Sequence, residues 1–200
     1  MARYALVVGI AEYGNSSLNL TKPTIDAEAV AQLLEQHGNF QEVKRLPRRW
    51  NRDRNCYEVA QKRLTGIDFG KALREFLLEQ AVKSEALIYF SGHGITVSDI
   101  LGRQKGYLAT SDCTIETIEK HGIALDSLNA LIREADLSSL VVLLDCCHSG
   151  YFLERNLVEQ TLTAFSSRKD YYLITACRSF EKAYESEQYS ALTEALLKGL

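Results

Sequence analysis

The chain reads as an α/β protein, with a mostly parallel central sheet and helices on both faces. Three observations predict this. First, short apolar runs recur along the chain: Tyr4 to Gly9, Ala86 to Phe90, Leu140 to Leu144 and Tyr171 to Thr175. Each is too short for a free-standing helix and rich enough in apolar residues to be buried on two faces. Second, amphipathic helical patterns separate these runs, as crossover connections between parallel strands require. Third, two of the runs end abruptly in reactive side chains: Ser91-Gly92-His93-Gly94, and Asp145-Cys146-Cys147-His148-Ser149-Gly150. In open α/β sheets, ligands bind in the crevice beyond the carboxyl ends of the strands. Chemistry is expected there.

Residues 4–9 form the first buried strand. Ala11 to Lys22 is polar and broken by Gly14 and Asn15, which predicts a loop. A helix follows with Thr24 as its cap; Val30, Leu33, Leu34 and His37 mark its inner face and Gly38 closes it. Val43 to Leu46 makes a short second strand. From Pro47 to Gly66 the chain reads as irregular, basic at its start. Leu73, Phe76 and Leu77 place a helix between about Gly70 and Gln80. After the histidine strand, Gly106 to Thr110 forms a small hairpin arm. Leu128, Leu131, Ile132 and Ala135 give another amphipathic helix, with Asp126 as its cap. A polar, partly helical connection runs from about Gly150 to Asp170. The strand from Tyr171 is expected to be buried, and a last helix begins at Ser190.

Two hundred residues suit one domain with a sizeable core, so residues 1–200 are read as a single domain, the N-terminal part of a longer protein. The composition, 46% hydrophobic and 24% charged with net charge −3, is that of an ordinary globular protein. It lacks the positive charge of a nucleic-acid binder. No apolar run approaches the ~20 residues that span a bilayer, and the N-terminus enters a strand rather than a signal peptide. Five cysteines without disulfide-framework spacing read as free thiols in a reducing cytoplasm. Cys56 and Cys177 are expected to pack as small hydrophobes.

Several chemistries compete for the site. Gly9 to Ser16 resembles a phosphate-binding loop, but Asn15 stands where a lysine must reach the phosphates, and no helix opens directly beneath. A zinc site from Cys146, Cys147, His148 and His93 suffers because adjacent thiolates rarely reach one tetrahedral centre. A phosphatase needs an arginine closing the loop after its cysteine, and none occurs before Arg155. A thiol–imidazole pair remains. A structural histidine is the ordinary reading of a lone imidazole, yet glycines flank His93 on both sides and open the backbone to close approach.

Together, Tyr89-Phe90-Ser91-Gly92-His93-Gly94 and Asp145-Cys146-Cys147-His148-Ser149-Gly150 resemble the motifs of the caspase-like cysteine peptidases, the metacaspases and bacterial orthocaspases in particular. The histidine stands 54 positions before Cys147, near the roughly 50 of a caspase signature. The likeness extends from the opening strand to the closing helix. It implies a caspase-like fold with Cys147 as nucleophile and His93 as general base, then acid. It also implies that the backbone N–H groups of Gly94 and Cys147 hold the oxyanion. Cys146 takes the variable position and packs behind. Glycine at 94 spares the scissile carbonyl a crowding side chain.

The resemblance further implies a pocket of Asp26, Ser91 and Asp145 for the residue before the cut. Two carboxylates facing one pocket call for a cation, hence arginine or lysine. The plainer readings are first-turn electrostatics for Asp26 and a turn or cap acid for Asp145. No cofactor is required by the sequence. Some metacaspases are calcium-activated; Asp112, Glu116 and Glu154 are scattered and form no acidic cluster, which leaves calcium activation open and unsupported. The implied partners are protein or peptide substrates, and the chain itself: Ser166-Ser167-Arg168-Lys169 offers a self-processing site near Arg168 or Lys169, or else a solvated loop. Arg45, Arg48, Arg49, Arg52 and Arg54 read as an exposed loop or docking surface, not a nucleic-acid site. The alternatives are an idle caspase-like scaffold and a nucleotide-binding switch.

Overall fold

The computed structural model describes residues 1–147, 153, 155–176 and 188–199. Its strands are β1 (Arg3–Gly9), β2 (Glu42–Leu46), β3 (Arg48–Asn51), β4 (Cys56–Val59), β5 (Glu85–Ser98), β6 (Gln104–Leu108), β7 (Ile123–Ala124), β8 (Ser139–Cys147) and β9 (Tyr171–Thr175). The helices are α1 (Pro23–His37), α2 (Gly66–Glu75), α3 (Ile118–His121), α4 (Leu125–Glu134), α5 (Arg155–Thr161), α6 (Ala164–Ser167) and α7 (Ala191–Leu197). A 3₁₀ turn at Ser16–Leu18 interrupts the first loop.

Five strands run parallel in the order β2-β1-β5-β8-β9, and the outer half of β5 turns back against β6 and β7 as an antiparallel arm. The apolar runs form central strands because both faces are covered. Along β1, Leu6 and Val8 join the larger core cluster, while Ala5 and Val7 join the smaller one. In β5, Ile88 and Phe90 face the first cluster and Tyr89 the second; Val142 and Leu144 alternate with Leu143 in the same way on β8. Helices α2 and α4 cover the larger cluster. Helix α1 covers the smaller through Ala27, Val30 and Ala31. Phe69 of α2 stacks on Phe90 with ring centroids 5.9 Å apart, a pair that adds about 1 kcal/mol beyond its area. Among the described residues, no helix is long and apolar enough to cross a membrane.

Several expectations change. Helix α1 starts at Pro23, whose fixed φ suits a first helical position. Its buried face is Asp26, Ala27, Val30 and Ala31; Leu33 and Leu34 are half-buried and His37 is exposed. The stretch after Pro47 is not irregular: β3 and β4 pair antiparallel as a separate hairpin, with Trp50 packed edge-on to Tyr57. Cys56 lies exposed on that hairpin instead of packing in the core; Cys177 falls outside the described residues. Arg45 belongs to no exposed surface. It is buried on β2 between Glu28 and Glu35, with guanidinium–carboxylate distances of 3.1 and 2.6 Å. Helix α2 begins earlier than expected, capped by Thr65, whose hydroxyl accepts the Asp68 N–H. In α4, Asp126 sits inside the first turn and Ala124 holds the cap position. Among the described residues, strand β9 pairs with β8 alone, and its outer face is open: Tyr172 and Ile174 are exposed while Tyr171 is buried.

Candidate active site

The end of β8 and the middle of β5, where β5 leaves the parallel sheet for the antiparallel arm, carry the reactive residues, and the register between these strands is the first fact of the site. Ser91 pairs with Asp145, Gly92 with Cys146 and His93 with Cys147. The backbones that bear the expected imidazole and thiol are therefore neighbours on adjacent parallel strands. The Cys147 side chain, with residues 148–152, lies outside the described residues. Cys146 is buried and belongs to the larger core cluster. This fits its reading as a packing residue.

His93 is buried, with 1% of its surface exposed. Its Nε2 lies 2.7 Å from the Leu18 carbonyl oxygen. A carbonyl only accepts, so Nε2 carries a proton, and in the neutral ring the basic nitrogen is Nδ1. Sequence reasoning missed Leu18: a backbone carbonyl leaves no signature in residue type, and this one arrives from 75 positions away.

The three residues expected to line a substrate pocket are also gathered here. Asp26 in the first turn of α1, Ser91 on β5 and Asp145 on β8 are all buried. Ser190 bridges the acids: its backbone N–H donates to Asp26 Oδ1 at 3.1 Å, and its hydroxyl donates a short hydrogen bond to Asp145 Oδ2. Asp145 Oδ2 also lies 3.3 Å from the Tyr89 and Thr193 hydroxyls, which are 2.7 Å from each other. Among the described residues, Asp26 Oδ2 has no hydrogen-bond partner. Burial raises the Asp26 carboxyl from 3.8 to about 6; the Ser190 N–H opposes this and the Asp145 charge adds to it. Burial, then the two nearby acids, raises Tyr89 well above 10, so it stays a neutral donor. The sequence marked Ser190 as a helix start, and its hydroxyl does sit at the cap of α7. Its second task, across 164 positions to Asp26, could not be read locally.

Gly94 follows His93 in β5. A Cβ built there would lie 2.8 Å from Leu153 Cβ and 3.2 Å from Cys146 Cβ. Beside Gly92, a Cβ would lie 3.0 Å from the Tyr13 hydroxyl. The room next to both glycines is thus taken by the protein's own side chains. Among the described residues, no group of His, Cys, Asp and Glu is placed to hold a metal ion. Asp112 accepts from the Gly66 N–H and the Thr110 hydroxyl, and Glu116 from the Thr114 hydroxyl; Glu154 falls outside the described residues. Arg168 donates to the Tyr171 hydroxyl at 2.8 Å and lies over its ring.

A mostly parallel sheet with helices on both faces, and with the histidine and cysteine positions paired at its carboxyl edge, defines an α/β domain of the caspase-like fold class. Residues 2–200 match the caspase domain family, and the chain belongs to it, a family of cysteine peptidases. The fold also resembles the crystal structure of protein GSU0716 from Geobacter sulfurreducens. That likeness has a TM-score of 0.66 at 15% identity, over 99% of this chain and 81% of that one. No curated protein matches.

Proposed function

We propose that this protein is a cysteine endopeptidase of the metacaspase or orthocaspase type, hydrolysing protein substrates after arginine or lysine. The observation that carries the reading is the pairing of His93 with Cys147 across adjacent strands, within a chain of the caspase domain family. In the proposed cycle, His93 Nδ1 takes the Cys147 thiol proton and the thiolate attacks the scissile carbonyl. The backbone N–H groups of Gly94 and Cys147 stabilise the oxyanion. The imidazolium then protonates the leaving amine, and water attacks the thioester with His93 as base, releasing the acid and restoring the thiol. A thiolate is nucleophilic enough near neutral pH that no third side chain is required. No cofactor enters the cycle.

Specificity for a basic side chain rests on the buried pair Asp26 and Asp145, with Ser91 beside them. Supporting it, Asp26 Oδ2 is buried and, among the described residues, has no hydrogen-bond partner, the condition a guanidinium or ammonium would relieve. The same preference would allow self-processing at Arg168 or Lys169. We place the enzyme in the cytoplasm, acting on protein and peptide substrates.

A positional peptide library, cut with and without added calcium, tests the reading. The expected result is cleavage after arginine and lysine, and the two arms report whether calcium is needed for it. Preference for acidic or apolar residues would overturn the pocket. An arginine-based thiol-reactive label that leaves Cys147 unmodified in folded protein would favour a non-catalytic scaffold.

A further inference from the structure

The loop between β1 and α1 is tied down at several points, and its ties converge on His93. Tyr13 is buried, and its hydroxyl accepts the His93 backbone N–H at 3.0 Å while donating to the Ile10 carbonyl at 3.1 Å. Its ring lies 4.8 Å, centroid to centroid, from the imidazole at an interplanar angle of 45°. The hydroxyl reaches the strand beside residue 92, where a glycine leaves room for it. The same residue also governs the far side of the loop. The Tyr13 N–H donates to Asn19 Oδ1 at 2.8 Å, and Asn19 follows Leu18, whose carbonyl meets His93 Nε2. The turn is closed by the Leu18 N–H on Asn15, the Asn19 N–H on Ser16 and the Leu20 N–H on Ala11.

We propose that Tyr13 and Asn19 are positioning residues for His93. Tyr13 fixes the strand and one face of the ring, and Asn19 holds the turn that sets the Leu18 carbonyl on Nε2. Together they keep the imidazole in the tautomer whose base is Nδ1. The inference rests on reading His93 as the general base. The physical logic is that a protonated imidazole gains from an acceptor already in place on Nε2. Letting the turn drift removes that gain, so the ring becomes a weaker base and samples the other tautomer.

Three variants test this: Tyr13→Phe, which keeps the ring and removes the hydroxyl; Asn19→Ala, which removes the acceptor; and Asn19→Asp, which restores an acceptor oxygen. On an arginine-ended peptide, Tyr13→Phe and Asn19→Ala are expected to lower kcat about ten-fold, the order of one or two hydrogen bonds. KM should stay within about two-fold of the parent. The acid limb of the kcat profile should move to lower pH in both. Asn19→Asp should recover most of kcat and return that limb towards the parent's, because its carboxylate oxygen can still accept the Tyr13 N–H.

Nitrogen-15 spectra of histidine-labelled protein, assigned with His93→Gln, read the tautomer without catalysis. The parent should show the proton on Nε2, and Asn19→Ala a mixture. Unchanged kcat, pH profile and tautomer in Tyr13→Phe and Asn19→Ala would overturn the inference and leave the peptidase reading standing. Full activity in His93→Gln would instead overturn the general-base reading, and the inference with it.

Discussion

Asp26 and Asp145 are held by a single residue: Ser190 gives its backbone N–H to the first and its hydroxyl to the second. One acid comes from the first turn of a helix and the other from the end of a central strand, and the cap of α7 joins them. Two buried carboxylates side by side cost stability when both are charged, and the pocket proposed for a basic side chain would exploit that cost.

The pH dependence follows from the Asp26 value, raised from 3.8 to about 6 mainly by burial. The folded state holds this proton more tightly than the unfolded chain. The penalty is therefore absent below about pH 4, grows as pH rises through the window, and is complete above about pH 6. Asp26→Asn keeps an acceptor for the Ser190 N–H and removes the charge. It should be more stable than the parent at neutral pH by up to about 3 kcal/mol, and equal to it near pH 4. Its cleavage after arginine should fall at least about ten-fold, the scale of a lost charge-assisted contact. Urea unfolding at the two pH values, with kcat/KM on an arginine-ended peptide, checks both halves. Turnover of basic substrates that survives Asp26→Asn would remove Asp26 from the pocket.

The two adjacent thiols should separate cleanly. Cys146 is a core residue, so Cys146→Ala is expected to cost about 1 kcal/mol of stability and keep most of the activity. Cys147→Ala should abolish cleavage with the fold intact. Parallel assays and melting curves of the two variants decide it; equal losses of activity would mean the nucleophile is misassigned.

Gly94 is required by packing as well as by any role in catalysis. A methyl group there meets Leu153 Cβ at 2.8 Å and Leu153 Cδ2 at 2.9 Å. Gly94→Ala should lose about 1–3 kcal/mol through overpacking. Adding Leu153→Gly, which removes both of those atoms, should recover part of that loss, measured as a coupling energy in a double-mutant cycle. Additive losses would show that the two residues do not compete for the same space.

Arg45 joins β2 to α1 through Glu28 and Glu35, and Glu28 also accepts the Val59 N–H of the hairpin. Arg45→Met leaves both carboxylates without their cation. Glu35 is half exposed, so the loss should be about 2–3 kcal/mol, below that of a fully buried pair. Hydrogen exchange at Val59 should quicken in step. An unchanged unfolding midpoint would show that the guanidinium contributes nothing net.

The strands β1, β5 and β8 were legible because burial on two faces leaves an uninterrupted apolar run. The hairpin of β3 and β4 was not. Its residues are mostly exposed and mix charged with aromatic side chains, and it is made by cross-strand pairs such as Arg49 with Glu58 and Trp50 with Tyr57. Asn55 turns within it at φ 51°, a conformation Asn tolerates but does not announce. Arg45 was misread for a related reason. Charge type argues for exposure, and only the partners Glu28 and Glu35, placed by α1, make burial tolerable.

What the sequence determined alone was the alternation of elements and the two strand ends bearing His93 and Cys147, because these depend on local runs and on residue chemistry. Their pairing, the Leu18 carbonyl on the imidazole and the joining of Asp26 to Asp145 through Ser190 were decided by the tertiary structure. Each depends on strand register or on a backbone group brought from far along the chain. Hydrogen bonds of that kind follow where the chain is packed and leave no local pattern of residue types.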